Sequence, residues 1–583
     1  MKMKKFPQLD IALKQNKISR AAYKNILLWL SDKKYKEFWE ELQDLINNNQ
    51  WEKLNDAFSK DLPFGTNGRR GKVGIGSNRI NKITIGETAQ GLADYLKNHS
   101  NKKIVVSFDV RLTSEVFAHY VASIFAANGF LVYIFDGPRP TPELCFALNY
   151  LNAVAGIMIT ASHNLPQDNG IKIYFQNGAI LSEESSEIIK FAKKTKEISE
   201  IDFIQAKEDK KIKIIGKEVD ESYINSVISE SLDRRQRSAK IVYSPLHGTG
   251  IKSVLPVLQK AGFKNVFLVE EQAEQNGNFP TLKNNKPDPQ LEECAEMTIK
   301  KCREVEADLG IFSDPDADRL GAVIRNNEGQ YIFLNGNQIA SLLGFFILDF
   351  YKRQKKLKPE NYIVKTLVTT DLLSDLADYF GVKIYGDLLV GYKYIINKIN
   401  KTGPQDCLFS AEDTNGFLKG NYTKDKDAAI TALLLCEYAS FLKNQRRNLI
   451  WQLDNLYRQF GLYLEKSYQI NVSGQPGMEK IEKIMKNLRQ KSPKEILGEK
   501  IIKTEDYFIK SNSDSNVLVF YLSEDGKNKI IIRPSGTEPS LKVYTNLYKK
   551  VDKKISDEDL DKEKFALRIK SQKILEFFEK KYF

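Results

Sequence analysis

The sequence predicts an α/β protein made of repeated sheet-and-helix units and ending in a smaller α+β domain. Apolar, β-branched runs alternate with amphipathic segments in three successive series, the signature of helix-covered sheets. The 583 residues exceed what one hydrophobic core supports, which by the size prior means roughly three to five domains. Towards the carboxyl end strand runs lie beside helices without that alternation.

Taken in order, the first sixty residues read as helical, with apolar residues at three- and four-residue spacings over 21–30 and 35–42, and form an amino-terminal extension. The first series has strands at 104–108, 130–135 and 154–159 and a helix at 115–127. Pro166, Asn169 and Gly170 read as the loop after the last strand, which puts Ser162 at a strand's carboxyl end, where open α/β sheets bind ligands. The second series runs strand 241–244, helix 251–261, strand 266–269, helix 291–303, strand 309–312. The third runs strand 363–366, helix 371–380, strand 382–384, strand 408–410. The hydrophilic stretch 207–213 reads as a separator between the first and second series, with a connecting helix near 219–231. In the tail, strands 517–522 and 529–532 accompany helices 478–490 and 563–581. The expected domains are 1–215, 216–338, 339–456 and 457–583.

Composition excludes several classes. The five cysteines are scattered without CxxC pairing, so neither a disulfide framework nor a zinc site is expected, and a reducing cytoplasm fits. The basic amino terminus lacks the apolar core and cleavage site of a signal peptide, and the apolar runs at 342–348 and 431–436 are far shorter than a membrane span. A net charge of +13 invites a nucleic-acid reading, but the lysines are interspersed with acids and no arginine-rich tract stands out. The expectation is a solvated surface with no nucleic acid or membrane partner, compatible with an electropositive cleft for a phosphorylated sugar.

Two segments suggest chemistry. Thr160-Ala-Ser-His-Asn164, followed by Asp168-Asn-Gly-Ile-Lys172, gathers an alcohol, an imidazole and an ammonium, a set suited to phosphoryl transfer. Serine is a poor phosphate carrier unless cations and fixed donors neutralise the charge, and His163 and Lys172 are placed for that. The bland alternative is a polar loop whose serine caps a helix. Ser313-Asp-Pro-Asp-Ala-Asp-Arg319 places Asp314, Asp316 and Asp318 at alternate positions, on one face if the segment is extended. Like charges so close call for a cation, and hard oxygen ligands with room for a phosphate favour Mg²⁺. An EF-hand is excluded, since its glycine and distal glutamate are missing; a solvated acidic turn is the ordinary alternative.

Further loops are weaker singly. Arg533-Pro-Ser-Gly-Thr537 could grip a phosphate through Arg533 and cradle it with Ser535, Gly536 and Thr537, or could be a plain turn. Phe64-Gly-Thr-Asn-Gly-Arg-Arg-Gly71 is a basic glycine-rich loop. Ser410-Ala-Glu-Asp-Thr-Asn-Gly416 could present Glu412 and Thr414 to sugar hydroxyls, and Leu389-Val-Gly-Tyr-Lys-Tyr394 offers Lys393.

Jointly, and in their order along the chain, these loops resemble the α-D-phosphohexomutase superfamily, the phosphoglucomutases and phosphomannomutases, from about Leu62 to Tyr544. Asp109-Val-Arg111 with Ser114, Tyr243-Ser-Pro-Leu-His-Gly248 and Asp425-Lys-Asp427 also correspond. The chain is most similar to the longer branch of bacterial phosphoglucomutases and phosphopentomutase-like enzymes. The resemblance implies a heart-shaped, four-domain molecule: three related α/β domains with mixed sheets and a C-terminal α+β domain that closes over the sugar. It implies a phosphorylated Ser162 that interconverts hexose 1- and 6-phosphates through a hexose 1,6-bisphosphate, with Mg²⁺ held by Asp314, Asp316, Asp318 and the seryl phosphate. His163, Lys172 and Lys393 resemble residues of proton movement and charge stabilisation, and Arg70 and Arg319 would flank the phosphoserine. Glu412 and Thr414 would bind the sugar, and the Arg533 to Thr537 loop the unreacting phosphate. Asp413 and Thr414 depart from the usual Glu-Ser, Val390 from a common threonine, and Asn67 and Arg69 from small or apolar residues, which bears on sugar identity. The competing expectations are a phosphopentomutase, a sugar phosphatase and a noncatalytic phosphosugar-binding protein; a monomer or a homodimer is expected.

Overall fold

In the computed structural model, which describes residues 6–65, 68–180, 182–326, 328–472, 476–510, 516–534 and 540–582, four main sheets follow one another along the chain. They are preceded by helices Pro7–Lys14, Arg20–Ser31, Trp39–Asn47 and Trp51–Phe58, which bury Leu9, Ile26, Leu42 and Leu54 in a core of their own. Trp29 is its centre, stacked on Tyr35 at 4.4 Å and met edge-on by Phe58 at 5.3 Å.

The first sheet runs, from edge to edge, Gly68–Lys72, Asp168–Phe175, Ala155–Ile159, Lys103–Phe108, Leu131–Phe135, Ile212–Ile215. Its last four strands are parallel and its first two antiparallel. Ala155–Ile159 is buried throughout, as an interior strand covered on both faces requires.

Three expectations change here. The hydrophilic stretch 207–213 does not separate two series: Phe203–Glu208 is a helix and Ile212–Ile215 is the outermost strand of the first sheet, where Ile212 alone of the four is buried. An edge strand half in solvent reads as polar. Asn169 and Gly170 lie inside strand Asp168–Phe175, so Ser162 sits in a hairpin connection and not ahead of a long loop. Turn-forming residue types mislead there because Asn169 Nδ2 is buried against the hydroxyls of Thr113 and Ser114, and a Cβ on Gly170 would lie 2.6 Å from Arg69 O. For the same reason Gly68–Lys72 is a strand, with Arg70 opposite Gly170.

The second sheet has the order Tyr331–Leu334, Leu320–Arg325, Leu309–Ser313, Ile241–Ser244, Val266–Leu268, and the third Lys383–Leu388, Tyr362–Thr366, Cys407–Glu412, Gly416–Leu418. Both are mixed: three neighbouring strands are parallel, with two antiparallel pairings on one side of the second sheet and one on one side of the third. Helix Lys217–Ser229 is the expected connector, and helices Gly336–Arg353 and Ala428–Asn444 are largely buried. The fourth sheet is antiparallel, in the order Leu462–Asn471, Ser540–Lys549, Lys529–Pro534, Leu518–Tyr521, Lys503–Asp506, and is accompanied by helices Pro476–Gln490 and Asp557–Tyr582. Three α/β domains with mixed sheets and a C-terminal α+β domain are thus present. No helix among the described residues is long and apolar enough to cross a membrane.

Candidate active site

Ser162 follows strand Ala155–Ile159 with φ of 51°, the left-handed region that a residue with a Cβ enters only when its surroundings hold it there. The hold is visible. Its N–H donates to Thr160 Oγ1 at 2.7 Å, and Thr160 Oγ1 donates to Asp109 Oδ2 at 2.6 Å. Arg111 donates to the carbonyls of Ser162 and Asn164, each at 2.6 Å, of Leu165 at 2.7 Å and of Asp168 at 2.8 Å. Asp109 also accepts from Ser114 Oγ at 2.6 Å and lies 3.2 Å from Arg111 Nε. The segment Asp109 to Ser114 is therefore the frame of the serine loop.

Ser162 is 3 % exposed, and its hydroxyl donates to Asp314 Oδ2 at 2.9 Å. Asp314, Asp316 and Asp318 converge, with ligand-capable atoms within 4.8 Å of one another, but not by alternation in an extended segment. Residues 314–319 form a tight turn with Ala317 at φ of 48°, closed by the Ala317 N–H to Asp314 O bond at 2.9 Å. Asp314 Oδ1 accepts the N–H groups of Asp318 at 3.1 Å and Arg319 at 3.0 Å, so the first carboxylate folds the loop that aims the other two. The loop is braced from below by the Tyr243 to Gly248 motif. Tyr243 OH lies 2.9 Å from Ser313 Oγ, and a Cβ on Gly248 would sit 2.5 Å from the Pro315 Cα.

Each of the other two carboxylates is tied by one oxygen. Asp316 Oδ2 accepts from Lys172 Nζ at 2.7 Å and Thr141 Oγ1 at 2.8 Å, and Asp318 Oδ2 from Lys426 Nζ at 2.9 Å. Asp316 Oδ1 and Asp318 Oδ1 are buried and accept no hydrogen bond among the described residues, Arg319 Nε lying 3.5 Å from the latter. Buried acceptors without hydrogen bonds beside a third carboxylate are what an oxygen-coordinated divalent cation would satisfy, so the donor set fits Mg²⁺. Burial, then the charges of Asp318 and Asp316, push Asp314 well above the usual carboxylate range. Burial opposes ionisation of Asp316 too, but Lys172 and hydrogen bonds to Asp314 and Thr141 together outweigh it and hold that group well below.

The cleft beside this cluster encloses about 900 Å³ including its mouth, and Arg70, Ser162, Lys172, Arg319, Lys393 and Glu412 are among the residues that line it. Arg70 Nη1 donates to Ala161 O at 3.3 Å, and Arg319 Nε lies 3.5 Å from Asp318 Oδ1. Lys172 lies on strand Asp168–Phe175, and although burial disfavours its charge, Asp316 and Asp318 raise it above the ordinary lysine value. Lys393, in the first turn of helix Tyr392–Thr402, is pulled down by burial. His163, Thr414 and Arg533 are not among the lining residues. His163 turns to Asp288, with Nδ1 2.8 Å from Oδ2; burial first and then Arg319 pull it down to about 4 against that carboxylate. Thr414 is half-buried beside the lining Glu412. Arg533 lies in strand Lys529–Pro534 opposite Lys542, where both cations face Asp413, whose carboxyl burial and Glu412 push up to about 6. Ser535, Gly536 and Thr537 lie outside the described residues.

Sequence reasoning gave no role to Asp288, Thr141 or Lys426. Lys426 had a signal, since Asp425-Lys-Asp427 was already a motif; Asp288 and Thr141 had none, because their partners lie 125 and 175 residues away in sequence.

A seryl oxygen set against a carboxylate cluster, in a cleft shared by three α/β domains, is an arrangement suited to phosphoryl transfer. Models of the phosphoglucomutase/phosphomannomutase alpha/beta/alpha domains I, II and III match residues 61–199, 221–329 and 335–460. The chain belongs to that phosphoglucomutase/phosphomannomutase family. It is 35 % identical over 508 residues to a phosphoglucomutase of Staphylococcus haemolyticus, covering 84 % of this chain and 91 % of the relative. It is 34 % identical over 539 residues to a phosphoglucomutase of Staphylococcus aureus, covering 89 % and 95 %. Among solved structures, the open form of the exocytosis-sensitive phosphoprotein parafusin, a phosphoglucomutase from Paramecium, superposes with a TM-score of 0.67 at 17 % identity over 88 % of this chain and 95 % of that one. A phosphoglucomutase/phosphomannomutase family protein from Burkholderia thailandensis gives 0.62 at 18 % identity over 87 % and 96 %. These two likenesses show the shared fold.

Proposed function

We propose that the chain interconverts hexose 1-phosphate and hexose 6-phosphate, with glucose and mannose both open, by means of a phosphoryl group carried on Ser162. The observation that carries this reading is the 2.9 Å bond from Ser162 Oγ to Asp314 at the wall of a cleft lined by Lys172, Arg319, Lys393 and Glu412. In the first half-reaction the phosphoryl group passes from Ser162 to the free 6-hydroxyl of a hexose 1-phosphate. The bond from phosphorus to Oγ breaks, the bond to the sugar oxygen forms, and the hydroxyl proton leaves to a base of the cleft. The 1,6-bisphosphate turns end for end, Oγ bonds to the phosphorus at position 1 as the bond from that phosphorus to the sugar oxygen breaks, and the base returns its proton to that oxygen to leave hexose 6-phosphate.

Asp314, Asp316, Asp318 and the seryl phosphate would hold Mg²⁺, which when bound polarises phosphoryl oxygens and disperses their charge. Proton movement falls to Lys393, which lines the cleft and is drawn below the ordinary lysine value, and, from outside that lining, to His163, neutral near pH 7 beside Asp288. Lys172, kept cationic by Asp316 and Asp318, stabilises the moving phosphoryl group with Arg70 and Arg319. Glu412 and Thr414 meet sugar hydroxyls, while Arg533, Ser535, Gly536 and Thr537 hold the unreacting phosphate. The domains are assigned to 1–215, 216–338, 339–456 and 457–583, supported by Ile215 ending the first sheet, Leu334 the second and Leu418 the third, and by Leu462 opening the fourth. The five unpaired cysteines support a reducing, cytoplasmic setting.

Intact-protein mass spectrometry should show a singly phosphorylated fraction that is lost in Ser162→Ala together with turnover. Kinetics on glucose, mannose and ribose 1-phosphates decide the sugar. Use of ribose alone would replace this reading with a phosphopentomutase, and steady phosphate release without isomerised sugar would replace it with a phosphatase.

A further inference from the structure

The three carboxylates of the cluster are held in different ways. Asp314 is fixed by backbone N–H groups of its own turn, and Asp318 by Lys426. Asp316 takes its two hydrogen-bond donors from the first domain, Lys172 and Thr141. Lys172 has a flexible stem, lies 3.6 Å from Asp318 as well, and faces the cleft, where a bound phosphoryl group would compete for its ammonium. Thr141 has no such freedom. It is completely buried, β-branched and restricted in χ1, and it opens helix Thr141–Tyr150 between Pro140 and Pro142.

It also grips its partner twice. The Thr141 N–H, one of the first-turn donors that a helix leaves without an internal acceptor, donates to Asp316 O at 3.0 Å, and its hydroxyl donates to Asp316 Oδ2 at 2.8 Å. The main chain and side chain of one loop residue are thus set by one residue of another domain. With Oδ2 occupied by two donors, the oxygen left over is Oδ1, a buried atom that accepts no hydrogen bond among the described residues.

We propose that Thr141 is a positioning residue for the cation: it fixes the Asp316 carboxylate across the domain boundary so that Oδ1 is the oxygen presented to Mg²⁺. This rests on the reading that Asp314, Asp316 and Asp318 hold a divalent ion. Outer-sphere partners of metal ligands typically contribute tenfold to a hundredfold in metal affinity, which sets the expected size of the effect at about that range. A threonine that merely starts a helix would contribute nothing to it.

The test is Mg²⁺ titration by calorimetry on the purified full chain, without sugar, for the wild type, Thr141→Val and Thr141→Ser. Valine keeps the shape and the N–H but lacks the hydroxyl, and is expected to weaken Mg²⁺ binding by about tenfold to a hundredfold. Serine restores the hydroxyl and is expected to restore the affinity. In turnover assays the valine variant should need correspondingly more Mg²⁺ for half-maximal rate while its KM for sugar phosphate stays unchanged. Should Thr141→Val not fold, Thr141→Ala repeats the measurement without any steric demand. A folded valine or alanine variant that binds Mg²⁺ like the wild type, or a serine variant as weak as valine, overturns the inference and leaves the mutase reading intact. A wild type that takes up no Mg²⁺ overturns the cation reading and this inference with it.

Discussion

Arg111 places its guanidinium on four carbonyl oxygens of the Ser162 loop while its own charge is answered by Asp109. Only a planar, five-donor group can do this, so a lysine at 111 keeps the charge and loses the geometry. Arg111→Lys should lower kcat by about 100-fold through misplacement of Ser162, with a smaller effect on KM. Steady-state kinetics beside a thermal melt read it, and a kcat within a few-fold of wild type in a folded variant would mean that the left-handed Ser162 holds without the clamp. The sequence shows Asp109-Val-Arg111 with Ser114 as a motif but not its task, because the carbonyls it binds belong to another loop. Ser162, Lys172 and the three aspartates were legible as residues: their types fit one chemistry and their spacing is local. The manner in which the aspartates converge was not. Alternation in a strand and a turn closed by Asp314 both bring three acids together, and only the second exposes backbone N–H groups to the first of them.

At the level of elements, parallel interior strands declared themselves as continuous apolar runs, while strands at sheet edges and beside glycine did not, as Ile212–Ile215 and Gly68–Lys72 show. The fourth sheet carries a further consequence of burial. Glu465 in strand Leu462–Asn471 is 7 % exposed, beside Asp371, which pairs with Lys365 at 2.9 Å and Lys529 at 2.7 Å. Burial, assisted by Asp371 and opposed by Thr370 and Lys365, pushes the Glu465 carboxyl up to about 7. The folded state therefore binds this proton more tightly than the unfolded one. The resulting stability is full below pH of about 4.5, falls as pH rises, and is lost once pH passes about 7, a swing on the order of 3 kcal/mol. Glu465→Gln imitates the protonated form, so the variant should melt above the wild type at pH 8 and together with it at pH 4. Melting curves that stay parallel across that interval would show that Glu465 ionises in the native state without penalty.

For the whole molecule, the surplus of 13 positive charges matters most where a tetra-anionic intermediate must reverse its orientation without escaping. The cleft lining includes the acids Asp318, Glu412 and Asp425, all within 3.9 Å of Lys426. The lining residues Arg69, Arg70, Lys172, Arg319 and Lys426 outnumber these acids within a positive molecular field, and sugar phosphates should be drawn in at a rate that salt suppresses. Raising ionic strength from about 0.05 to about 0.5 M, which shortens the screening length severalfold, should lower kcat/KM for a sugar monophosphate by about tenfold. The same screening weakens retention of the bisphosphate between its two poses. Each escape would leave Ser162 unphosphorylated, so at high salt turnover should decay with time and recover when hexose 1,6-bisphosphate is added. At low salt the same addition should change little. If kcat/KM proves insensitive to salt and no bisphosphate requirement develops, the intermediate is held by closure of the cleft and not by its field, and the long-range part of this charge distribution has no role in the reaction.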